Sequence, residues 1–117
     1  MTTESDAEIN IFRALDFIRD NAPLYAKAKA DRVYLEQFRK TRKALGMRAA
    51  ELAGHKSAVV QEREAYADKE YMQLLEGLRE AVEVEERLRW LITAAQAKIE
   101  VWRTLESTRR IEAKTLS

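Results

Sequence analysis

The side chains that could do chemistry in this 117-residue chain are few, and their spacing suits binding rather than turnover. The one histidine, His55, follows Gly54 in a turn-forming stretch, where an imidazole is more often a solvated turn residue than a base or a ligand. Ser57, two residues on, lacks the second base that a nucleophilic serine needs, and it fits better as a helix N-cap. Cysteine is absent, so thiolate chemistry and disulfides are excluded. Glu80, Glu83, Glu85 and Glu86 have the look of a carboxylate cluster. They lack the Glu-x-x-His partner of di-iron bundles, and such a run is ordinarily a solvated helix face. There is no glycine-rich phosphate loop and no HExxH motif. The expectation is a non-enzymatic protein without metal or cofactor.

Basic residues are better placed. Arg32, Arg39, Lys40 and Lys43 share one flank of a helix, with Arg48 one turn beyond. A strip of this kind suits a phosphate backbone, giving positional, salt-sensitive contact without base reading. Tyr25, Tyr34 and Phe38 lie beside it and serve equally as stacking platforms or as core. A second basic set, Arg103, Arg109, Arg110 and Lys114, complements the dipole at a helix C-terminus. Against an autonomous DNA-binding protein stands the net charge of only +1, sorted into blocks. Residues 1–23 carry −3, 24–60 carry +6, 61–86 carry −6 and 87–117 carry +4. Alternating blocks of opposite sign match one another within a hairpin or between subunits.

The elements that must position these groups are helices. Three glycines, one proline and 35% charged residues describe an all-helical chain. From Asp68 to the C-terminus two seven-residue ladders interlock: Tyr71, Leu78, Glu85, Ile92 and Ile99, and Leu74, Ala81, Leu88, Ala95 and Trp102. That spacing marks a long helix packed along a seam. Ahead of it the spacing predicts a helix over residues 5–21, opened by a Ser5–Glu8 capping box and ended at Asn21 and Pro23. A second helix follows over 23–53, with Leu24, Ala28, Asp31, Leu35, Phe38, Arg42, Leu45, Ala49 and Leu52 on its seam and Gly54 as its stop. Ser57 caps a short helix over 58–67, and Asp68 caps the long helix over 69–115.

The expected architecture is a single helical domain over residues 1–117, an elongated antiparallel hairpin or bundle with coiled-coil-like packing and one very long C-terminal helix. Folded about a connection at 54–68, it brings Arg42 close to Glu85, a charged pair that sets the register of the seam. Trp90, Ala94, Ala97 and Val101 form a second apolar stripe on the long helix, with Trp102 near its end. A helix apolar on two sides needs two partners, so these five residues are the candidate interface of a homo-oligomer. No signal peptide and no 18-residue apolar run occurs, and a membrane is not among the expected partners.

Several phrases also resemble a family of small helical proteins of phages and prophages. They are Gln61-Glu62-Arg63-Glu64-Ala65-Tyr66-Ala67, Leu75-Glu76-Gly77-Leu78-Arg79-Glu80-Ala81, Glu86-Arg87-Leu88-Arg89-Trp90-Leu91 and Ala94 through Arg103. The resemblance spans roughly residues 25–110 and leaves out the start of the chain. It implies a cytoplasmic accessory role in a bacterial host, around phage DNA replication and recombination, and it carries over no site residue. The function expected is protein–protein binding, with nucleic acid as a further partner. The rival is an inhibitor or adaptor that engages a host protein through the acidic face at Glu76–Glu86.

Overall fold

The computed structural model describes residues 10–116, which form three α-helices and no strand. Helix α1 is Ile11–Leu52 (42 residues), α2 is Ala58–Ala67 (10 residues) and α3 is Lys69–Leu116 (48 residues). The all-α class and the very long C-terminal helix are as expected. The Ser5–Glu8 capping box lies outside the described residues. Asn10 caps α1, its Oδ1 accepting the Arg13 backbone N–H at 3.0 Å.

One boundary needs correction. Among the described residues, one helix, Ile11–Leu52, runs through Pro23 where two were expected over 5–21 and 23–53. Proline inside a helix removes one backbone bond and crowds the carbonyl four residues back, at a cost of about 3 kcal/mol. Here Pro23 and Arg19 both lie on the exposed side of the helix, away from the packed face. Asn21, half-buried two residues before Pro23, donates its side-chain amide to the Phe17 carbonyl one turn back at 2.8 Å. Helical packing on either side of the proline outweighs the local penalty.

Residues pack as two compact units, a turn unit (26–86) and a terminal unit (1–25 with 87–117). In the turn unit α1 and α3 run antiparallel: Arg32 meets Glu85, while Arg42, further along α1, meets Glu70, earlier on α3. Tyr71, Leu74 and Glu85 of α3 are buried, with Leu78 and Ala81 half-buried between them. In the terminal unit Ala14 and Ala95 are buried, and Leu88, Ile92, Ile99 and Trp102 are half-buried. Both α3 ladders therefore point inward, each within its own unit.

The α1 seam differs from expectation. Ala28, Leu35, Phe38 and Arg42 turn inward, whereas Leu24, Asp31, Leu45, Ala49 and Leu52 are exposed. Their inward places are taken by Tyr25, Arg32, Gly46 and Ala50. The real ladder uses an arginine and a glycine, types that an apolar pattern passes over.

Between α1 and α2 the chain reverses at Gly54, whose φ of 102° is the only positive value among the described residues. Its N–H donates to the Glu51 carbonyl, and the His55 N–H to the Ala50 carbonyl, both at 3.0 Å. These are the paired bonds of a Schellman stop, and they need a residue without Cβ strain at that place. We expect Gly54→Ala to cost about 1–2 kcal/mol in the urea midpoint, the left-handed penalty for an L side chain. No measurable loss would mean the turn relaxes freely. Ser57 holds the N-cap backbone conformation before α2 but its hydroxyl makes no capping bond. Asp68 does cap α3, its Oδ2 accepting the Glu70 and Tyr71 N–H groups at 3.2 and 3.3 Å.

Candidate protein-binding surfaces

The charged seam of the turn unit is built differently from the expected Arg42–Glu85 pair. Glu85, 5% exposed, is the one buried charged residue among those described. It accepts two bonds from Arg32, at Nε and, at 3.0 Å, at Nη2, while Arg32 Nη1 donates to Glu36 at 3.0 Å. The two carboxylates, Glu85 first, hold the Arg32 guanidinium above its ordinary pKa. Arg42 donates from Nη1 to Glu70 at 2.6 Å, and its Nε is buried with no hydrogen-bond partner. The register correction has a simple origin. Helix α2, taken as part of the connector, spends its ten residues on the return leg, lying against α1 near Lys43 and Gly46. The seam shifts by that length, and Glu85 reaches Arg32, ten residues before Arg42.

This arrangement also breaks the expected basic strip. Arg32 is committed to the seam. Lys43 ion-pairs with Glu62 at 3.5 Å and lies 4.9 Å from the centre of the Tyr66 ring. A hydrogen bond with Tyr66, and then the Glu62 charge, raise its ammonium above the ordinary lysine value. The sign is that of a raised folded pKa: this contribution to stability is full below the unfolded lysine pKa and fades as pH climbs through the folded one. Arg39, Lys40 and Arg48 remain exposed. Three cations on one helix are a weaker phosphate track than five.

The acidic run diverges for the same reason. Glu85 points into the seam, Glu80 borders a groove and Glu76 pairs with Arg79 at 3.0 Å. No three histidine or acidic side chains among the described residues converge as a metal-binding group. The groove, about 500 Å3, opens in the turn unit where Gly77 leaves a gap opposite Leu35, with Tyr34 and Val84 on its walls. His55, half-buried, serves the turn, its carbonyl accepting the Gln61 amide at 2.8 Å.

The apolar stripe of the terminal unit is the surface left open. Trp90 is 60% exposed and Val101 50%, with Ala94 and Ala97 exposed between them and Leu105 (45%) continuing the line. At about 100° per residue these positions lie across α3 from the inward-facing Leu88, Ile92, Ala95 and Ile99. Arg89 lies 4.8 Å over the Trp90 ring and so edges the stripe with charge. Trp102 is separated from the other four candidates, since it sits half-buried on the inward ladder. No known family model, no curated protein and no solved structure matches this chain. The site's own geometry therefore carries the functional reading. Among the described residues, no helix is long and apolar enough to cross a membrane.

Proposed function

We propose that this chain is a non-enzymatic helical accessory protein that works by binding another protein through the outer face of α3. The observation that carries the reading is the stripe Trp90–Ala94–Ala97–Val101, a solvent-facing apolar line on a helix whose opposite side is already packed. Large exposed aromatics flanked by small residues are the composition of interface anchors, and an unused patch of this kind marks an association site. The phrases that resemble those of small phage and prophage proteins are the ground for placing that role in phage replication or recombination, inside the bacterial host cytoplasm.

Trp90→Glu is the direct test, because it puts a charge in place of the largest exposed side chain of the surface without touching the seam. Affinity capture with the folded chain should retain a stoichiometric protein partner, and Trp90→Glu should lose it roughly tenfold or more. Identical retention by both would refute the reading. A second reading, contact with nucleic acid, draws support from the exposure of Arg39, Lys40 and Arg48. It would show as binding of a single-stranded oligonucleotide that falls with salt and with Lys40→Glu. The host-directed alternative would engage Glu76, Glu80 and Glu83, which are exposed on α3, and would be sensitive to charge reversal there.

A further inference from the structure

We infer that the partner seated on the outer face of α3 is a second copy of this chain, bound antiparallel about a two-fold axis between Ala94 and Ala97. This deepens the reading above and rests on it.

The size pattern of the stripe points to that arrangement. From Trp90 to Val101 the order is large, small, small, medium, at spacings of four, three and four residues. In an antiparallel pair centred between the alanines, Trp90 of one copy lies against Val101 and Ala97 of the other. Each bulky ring then covers the shallow alanine surface of its partner, and the two helices approach closely along their middle. A parallel pair would set Trp90 against Trp90 and alanine against alanine. The first contact would hold the helices apart just where the second needs them together. The stripe is thus complementary to itself in one orientation, the defining property of a two-fold interface.

Trp90 has 60% of its surface left to cover and its neighbours are small, so the contact falls at the low end of specific interfaces and the dimer expected is weak and reversible.

The chain has no native cysteine, so single introduced cysteines report the geometry without background. In the proposed pair, residue 97 and its own copy are offset by about 4.5 Å along the helix axis, and residue 101 and its copy by about 16 Å. A disulfide requires Cα atoms within about 7 Å. Ala97→Cys should therefore oxidise to a covalent dimer, and Val101→Cys should not, at concentrations where both are associated. Light scattering of the full chain should give twice the 13.6 kDa monomer mass at tens of micromolar. Trp90→Ala should weaken association roughly tenfold or more. Equal crosslinking at positions 97 and 101 would overturn the antiparallel arrangement. A chain that stays monomeric at high concentration, while Trp90→Glu still releases a captured protein, would overturn self-association and leave the protein-binding reading standing. Loss of both would remove the stripe as a binding surface altogether.

Discussion

Glu85→Ala is expected to destabilise the protein by about 3 kcal/mol, read as a fall in the urea midpoint at constant slope. Glu85 is 5% exposed and meets Arg32 through two hydrogen bonds, a planar fork that a carboxylate matches and a lysine could not. Truncating it strands a guanidinium that cannot escape by losing its proton. The loss stands at the lower end of the range for buried pairs because Glu36 remains at 3.0 Å and the Arg32 side chain keeps 23% exposure. Replacing both partners with leucine should recover much of the loss, since the desolvation penalty leaves together with the attraction. Arg42→Ala supplies the contrast. Its partner Glu70 has a side chain 67% exposed, so losing that pair should cost no more than about 1 kcal/mol. Equal effects at Glu85 and Arg42, or a Glu85→Ala loss below 0.5 kcal/mol, would show that the seam register does not depend on the buried pair.

Gly46→Leu is the second substitution of large effect. A Cβ on Gly46 would stand 3.0 Å from both Cα and Cβ of Ala65, which is 1% exposed in the last turn of α2. One of those atoms is backbone, so α2 itself must move. Overpacking of this order costs about 1–3 kcal/mol, and a four-carbon side chain belongs at the upper end. The damage should be local. A ten-residue helix is too short to persist without its contact surface, so amide protection over Ala58–Ala67 should collapse while Tyr71–Glu85 stays protected. Gly46→Ala is the milder case, where a gain of about 1 kcal/mol in helix propensity works against a displacement of a few tenths of an ångström. Undiminished protection in the leucine variant would mean that α2 has room to slide.

Most of the α3 architecture could be read from the sequence, because its inward positions carry residues whose type announces their place. Tyr71, Leu74, Leu78, Leu88, Ile92 and Ile99 are apolar at heptad spacing and face inward in their units. The outward stripe was legible for the same reason, although Trp102, equally apolar, belongs to the inward set. On α1 the rule fails at Arg32 and Gly46. One enters the seam as a charge that finds its mate 53 residues away, the other as a gap that lets two backbones touch. Neither has an apolar signature, and the leucines that do, Leu24, Leu45 and Leu52, face solvent. The basic strip is shorter than its spacing suggests, because spacing places residues on a flank but does not show that Glu85 and Glu36 reach Arg32 and Glu62 reaches Lys43. Pro23 misled as a boundary because a local breaker can be overruled by packing that no local window contains.

The tight reversal at Gly54 also bears on the order in which the chain finds its structure. Contacts nearest the turn close short loops: Gly46 and Ala65 are 19 residues apart, Arg42 and Glu70 are 28, and Arg32 and Glu85 are 53. The terminal unit must join residues before 26 with residues beyond 86, a far longer loop if formed first. Each contact made near Gly54 shortens the chain still to be closed, and closure entropy grows with that length. Closure entropy therefore favours assembly from the turn towards the termini. An insertion at Gly54 would lengthen the first loop to be closed, whereas a deletion near either end would leave the early steps untouched.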